Sequence, residues 1–224
     1  MNVIQTHPTL PEGWTKGAVM ALISEVAPHI GLRPARLAVL NYIIGRTRAS
    51  DWTSPHREPV FFGAQDLAAV ELGKTSRQLR TDEAALCKLG LIVKRVAANG
   101  ARYGRAGLGL ILTPLIARLE EFIALRDRLR AERRHLRALK DLRSLRLRHM
   151  RRCIAALPSL AIKDPEIARI LASFAEWPRS DALGRLGLER LTAHLKASSD
   201  LCNSLEDWLE NHGLSSDQPV ENFR

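Results

Sequence analysis

The chain has 224 residues and a formal net charge of +10 at neutral pH. Hydrophobic residues make up 46%, enough to bury a core, which excludes wholesale disorder; aromatics at 5% argue against an aromatic-rich β-sandwich. So basic a balance points to a polyanionic partner, nucleic acid or an anionic membrane, with a merely basic soluble protein as the alternative.

Residues 1–13 are polar and carry two prolines, the composition of a flexible arm. Thr15 is placed to cap a helix that runs to about Val26, with Val19, Leu22, Ile23 and Val26 at helical spacing. Gly31 breaks the chain, and Pro34 opens a second helix that buries Leu37, Leu40, Ile43 and Ile44. Thr47 to Pro59 (TRASDWTSPHREP) reads as an exposed loop, and Val60-Phe61-Phe62 as a short strand.

A short helix over Gln65–Leu72 ends at Gly73, a residue suited to the left-handed turn that closes helices. Thr75-Ser76-Arg77-Gln78 matches a capping box, in which the Thr hydroxyl caps the helix start and the Gln reaches back. The helix it opens runs to about Leu89 and stops at Gly90. Leu91 to Val96 reads as a strand, Ala98-Asn99-Gly100 as a hairpin turn, and Leu110 to Leu112 as the end of the return strand.

Pro114 opens a long helix without Gly or Pro until Pro158. Its Leu positions drift in phase, an imperfect coiled-coil seam. Asp164-Pro165 starts a short helix to Phe174, and Leu188, Leu191, Leu195, Cys202, Leu205 and Leu209 mark a last amphipathic helix. The expected organisation is therefore an arm over 1–13, a winged helix–turn–helix domain over 14–113, a long basic helix over 114–157 and an acidic helical segment over 158–224. The fold class is mainly α with a small β wing.

Charge is unevenly spread along this plan. Residues 118–152 hold 13 Lys/Arg against 5 Asp/Glu, residues 64–112 hold 8 against 4, and residues 159–224 hold 7 against 11. A basic middle and an acidic end suggest polyanion contact in the first and protein contact or self-masking in the second.

The order helix, helix, strand, helix, turn, helix, two-stranded ribbon is that of a winged helix–turn–helix, whose second helix of the pair is free to enter a major groove. On a helical wheel Leu79, Leu86 and Leu89 face inward, while Arg77, Arg80, Thr81, Ala84 and Lys88 face out. Arg pairs bidentately with guanine, Thr and Ala touch a thymine methyl, and Lys88 suits a phosphate. The helix start at Thr75 and Ser76 is a phosphate site by its free N–H groups. The ribbon adds Lys94, Arg95, Asn99, Arg102 and Arg105, cations suited to the DNA backbone or minor groove. Asp82 and Glu83 sit near the core edge of the same helix and call for nearby Arg or Lys partners.

The Arg-rich stretch RDRLRAERRHLRALKDLRSLRLRHMRR leaves two readings open: an extended phosphate-binding surface, or a bracing helix whose Arg stems cover its Leu seam. The three cysteines are Cys87, Cys153 and Cys202, with no CxxC or Cys/His ligand spacing, so neither a zinc site nor a cofactor is expected. Scattered thiols fit a reducing cytoplasm. No signal peptide and no apolar run of membrane-spanning length is apparent, so a cytoplasmic protein without a membrane partner is expected. The histidines form no triad spacing and no paired-carboxylate, P-loop or Rossmann pattern occurs, so no catalytic residue is assigned.

The blocks DWTSPHREPVFF, AAVELGKTSRQLRTDEAALCKLGLIVKR, AANGARYGR and GLGLILTPLIARLEE resemble, in that order, the N-terminal domain of the RepC family, the replication initiators of RepABC-type plasmids. The similarity covers about Trp14 to Arg152. It implies a winged-helix domain that binds double-stranded DNA at a plasmid origin and starts replication. It places Arg77, Arg80 and Lys88 in the recognition helix, Asn99 to Arg105 in the wing, and Thr113 to Arg118 at the step into the long helix. Family members usually continue into a second, C-terminal domain, so the resemblance implies origin binding more directly than initiation by this chain alone. Candidate roles for the two helical segments are self-association and contact with host replication proteins. A winged-helix transcriptional regulator is the alternative that shares the same DNA face.

Overall fold

The computed structural model describes residues 6–97, 102, 107–158, 161–179 and 181–214. Two compact units form, Met1–Leu129 and Arg130–Arg224. The division falls within one long helix and not at a loop.

The N-terminal unit begins with α1 (Lys16–Val26), where the Thr15 hydroxyl accepts from the Ala18 amide as the cap. After a 3₁₀ turn, Gly31 takes φ 72° and lets the chain double back into α2 (Pro34–Arg46). Val19, Leu22, Ile23 and Val26 of α1 and Val39, Leu40, Ile43 and Ile44 of α2 are buried in one core. Leu37, expected among them, is only partly buried against it.

Two expectations are corrected in the segment around α2. The arm is not free from His7 to Leu10: the His7 amide donates to the Pro55 carbonyl, the Leu10 amide to the Trp52 carbonyl, and Leu10 is buried. The loop over 47–59 is not simply exposed. The Trp52 indole donates to the Thr47 hydroxyl at 2.8 Å, both side chains are buried, and the hydroxyl itself donates to the Ile44 carbonyl. A large ring with a satisfied polar handle anchors the loop.

The sheet has three antiparallel strands in the order β1-β3-β2: β1 (Val60–Phe61), β2 (Val93–Arg95) and β3 (Gly109–Ile111). Ile111 pairs with Val60 on one side and Val93 on the other. Gly109 is needed where β3 passes β1, because a Cβ there would lie 2.3 Å from the Phe61 carbonyl oxygen. Between β1 and β2 come α3 (Gln65–Glu71) and α4 (Ser76–Lys88).

The long helix does not start at Pro114. A short α5 (Thr113–Ala117) ends at Arg118, and α6 (Leu119–Ala155) follows. The break lets Leu115 and Ile116 of α5 and Leu119 and Phe122 of α6 all enter the same core, while Arg118 between them stays half-buried.

The C-terminal unit packs α7 (Pro165–Ala175) and α8 (Leu188–Asn211) onto the last turns of α6. Asp164 caps α7 by accepting from the Glu166 and Ile167 amides. Met150, Cys153, Ile167, Ile170, Cys202, Leu205, Trp208 and Leu209 form one cluster, and Leu183, Leu191 and Leu195 with Leu136 and Leu139 another. Among the described residues no helix is long and apolar enough to cross a membrane.

Candidate nucleic-acid interface

The site is built around α4. At its start the capping box is complete: the Gln78 amide donates to the Thr75 hydroxyl at 3.2 Å, and the Thr75 amide donates to the Gln78 side-chain oxygen at 2.9 Å. The turn from α3 is closed by Gly73 at φ 63°, with the Lys74 amide donating back to the Ala69 carbonyl. At the other end Gly90 takes φ 66° and Arg118 donates through Nη1 to the Leu89 carbonyl at 2.6 Å. Arg118 is itself held by Glu121 through two bonds of 2.8 Å and lies over the Phe122 ring. The Glu121 hydrogen bonds raise its guanidinium pKa further and pull the Glu121 carboxyl below its usual range. Both ends of α4 are thus fixed by side chains, which orients its outer face.

Leu79 and Leu86 of α4 are buried, and Leu89 just beyond it packs partly buried against the same core. Arg77, Arg80, Thr81, Ala84 and Lys88 are exposed, at the three- and four-residue steps that make one stripe of a helix. Arg77, Arg80 and Lys88 make no ion pair with a described residue. The Thr81 hydroxyl donates back to the Arg77 carbonyl at 3.0 Å. Ser76 is less available than its position in the sequence suggests, since its hydroxyl donates to Asp66 at 2.8 Å.

The two acids on α4 explain themselves through cations that surround them. Asp82 accepts from Lys74 at 2.9 Å and lies 3.6 Å from Arg36. Glu83 is buried and receives the Arg102 Nη2 on both carboxylate oxygens, at 2.7 and 2.8 Å, with Gln65 at 3.3 Å and Lys94 at 3.9 Å. Arg102 is therefore placed differently from an outward wing cation: its side chain is 6% exposed, because the buried carboxylate needs a desolvated, hydrogen-bonded partner. Of the other wing residues, Lys94 and Arg95 are exposed, and Arg95 pairs with Glu58 at 2.9 Å. Asn99 and Arg105 lie outside the described residues, as does the Asn-Gly turn. Cys87 sits half-buried on the same helix, and burial, then the Glu83 charge, push its thiol up.

The profile of the replication protein C N-terminal domain matches residues 2–158. The chain belongs to this family. Two curated relatives, each named "Putative replication protein C", come from rhizobia. The one from Rhizobium rhizogenes is 31% identical over 135 residues, 57% of this chain and 33% of its own length. The one from Sinorhizobium fredii is 27% identical over 157 residues, 66% of this chain and 38% of its own length. The chain thus covers about a third of these replication protein C relatives. No solved structure matches. The family match includes all of α4 and β2 and ends just past α6, so α7 and α8 fall beyond it.

The Arg-rich stretch of α6 lies within that match. Two of its arginines serve the C-terminal unit: the buried Arg143 donates to the Pro178 carbonyl, and Arg146 to the Leu195 carbonyl. Burial pulls the Arg143 guanidinium below its usual pKa.

Proposed function

We propose that the N-terminal unit is a winged helix–turn–helix that binds double-stranded DNA at a plasmid origin, as the DNA-binding portion of a replication initiator. The single observation that carries the reading is the exposed stripe of Arg77, Arg80 and Lys88, without an ion-pair partner among the described residues, around small Ala84 on a helix whose two ends are anchored. A helix with a small residue at its centre approaches base edges closely, and two arginines one turn apart reach neighbouring guanines. Lys94 and Arg95 on β2 extend the cationic surface for phosphates, with Arg95 shared with Glu58. Membership of the replication protein C family favours an origin over a promoter as the target. The proposal assigns no chemical step to this chain.

The test is a footprint on fragments of the replicon that encodes the chain, followed by a salt titration on the protected site. Protection of one discrete site is expected. If about six phosphates are neutralised, log affinity against log salt should fall with a slope near −5. Uniform weak protection with no site, or a slope near zero, contradicts the reading.

A further inference from the structure

The C-terminal unit brings together three side chains that are far apart in sequence. His149 and Cys153 stand one turn apart on α6, and Glu206 faces them from α8. The His149 Nε2 lies 2.9 Å from a Glu206 carboxylate oxygen and 3.5 Å from the Cys153 sulfur, and the three ligand atoms lie within 4.8 Å of one another. Cys153 is fully buried, whereas His149 and Glu206 are partly open to solvent at 24% and 42% side-chain exposure. We propose that His149, Cys153 and Glu206 form a binding site for a divalent transition-metal ion, of which zinc fits the donor set best.

Three arguments carry this. A single imidazole nitrogen faces both a sulfur and a carboxylate oxygen; it has one proton or one lone pair to offer, and a cation between the three engages all of them. Zinc bonds of about 2.0–2.3 Å to N, O and S require ligand atoms roughly 3.4–3.7 Å apart in a tetrahedron. The His149–Cys153 separation of 3.5 Å already falls in that range, and small side-chain rotations open the 2.9 Å His149–Glu206 contact and bring the third pair, within 4.8 Å, into it. Thiolate and carboxylate also match the ion in charge, so the bound site is neutral among the arginines of α6, including Arg146. Sulfur with imidazole selects zinc or a similar borderline metal over magnesium or calcium, which prefer oxygen. The fourth position lies on the open side, between His149 and Glu206, where water completes the shell. Cys202, one turn before Glu206, is the nearby thiol left out of the set, because its sulfur does not fall within the cluster of ligand atoms.

The spacing in sequence hides this site. His149 and Cys153 follow the four-residue step of one helix face, but the third ligand comes from a helix that folds back from beyond Pro178. The ion would join α6 to α8 where their shared core contains Leu205 and Trp208.

The test uses the full chain, stripped with chelator under a non-thiol reductant and titrated with Co²⁺ and then Zn²⁺. One Co²⁺ per chain should bind with the near-ultraviolet charge-transfer band of a cobalt–thiolate bond and the visible bands of a tetrahedral site. Zn²⁺ should displace it and raise the melting temperature of the C-terminal unit, since an ion that binds only the folded state stabilises it. Cys153→Ser should abolish the thiolate band. Glu206→Gln and His149→Ala, at partly exposed positions that tolerate change, should each weaken Co²⁺ binding at least about tenfold. Cys87→Ser should leave it unaltered. Absence of a thiolate band in the unaltered chain, a band that survives in Cys153→Ser, or Glu206→Gln and His149→Ala binding as tightly as the parent would each overturn the proposal.

Discussion

Helices α4 and α6 are both rich in cations, yet they use them differently. On α4, Arg77, Arg80 and Lys88 are exposed and have no ion-pair partner among the described residues, and the acids that share the helix are neutralised from elsewhere by Lys74, Arg36 and Arg102. On α6 the density of Arg is greater, but Arg143 and Arg146 are drawn into the C-terminal unit and bonded to backbone carbonyls. Charge density by itself therefore does not locate a polyanion surface. A guanidinium already satisfied by a carbonyl or a buried carboxylate has few donors left for phosphate or guanine, and moving it costs the unit its internal hydrogen bonds.

The comparison breaks most readily at the internal cations. Arg102→Ala strands the buried Glu83 and should destabilise the N-terminal unit by about 3–5 kcal/mol, toward the lower end because Lys94 and Gln65 remain nearby. Urea unfolding reads this, and the loss should fall on stability before it falls on the choice of DNA sequence. In the other unit Trp208→Ala removes a ring stacked on His212 and bonded to Asp164, and should cost a similar 3–5 kcal/mol or so. Each unit has its own hydrophobic cluster, so this change should leave DNA affinity of the N-terminal unit intact while α7 and α8 lose their thermal transition.

Smaller effects sharpen the same contrast. Gly109→Ala forces β3 away from β1 and should destabilise by about 1–3 kcal/mol, with weaker binding to all DNA sequences alike. Lys94→Ala, at an exposed phosphate-type position, should weaken cognate and random duplexes by similar factors and flatten the salt slope by about one unit.

The smallest effect is pH-dependent and confined to the C-terminal unit. Burial, with Arg143 and Arg146 nearby, holds the His194 pKa below its ordinary value. The unfolded chain then takes up a proton first as pH falls, near about 6.5, so the unit loses stability from there down to the folded-state pKa and no further below it. Melting curves across pH 5–8, compared with His194→Phe, should show the parent falling faster in that window; parallel curves would exclude this role for His194.

Much of the N-terminal unit was legible in sequence because its signals are local. The capping box at Thr75–Gln78, the glycines at 73 and 90 and the Leu79/Leu86 spacing each dictate a conformation within a few residues, and each appears where expected. Asp82 and Glu83 announced that they needed cations, but only the fold could say which ones, since Arg102 and Arg36 arrive from distant positions. For the same reason Arg102 looked like a free wing residue. The start of the long helix was misplaced because Pro114 is a good helix opener, and nothing local signals that Arg118 is taken up by the Leu89 carbonyl. Trp52 and Leu10 were lost in polar stretches whose anchoring depends on contacts made elsewhere in the unit.

On the proposed reading α4, and not the Arg-rich α6, reads the DNA. Affinities for the protected duplex and a scrambled duplex should be measured in parallel for Arg77→Ala, Arg80→Ala and the pair Arg134→Ala with Arg137→Ala on exposed turns of α6. Each α4 change should reduce the preference for the protected site by about 1–3 kcal/mol, while the α6 pair leaves that preference unaltered. Equal loss on both duplexes for the α4 variants, or loss of preference in the α6 pair, would contradict the account.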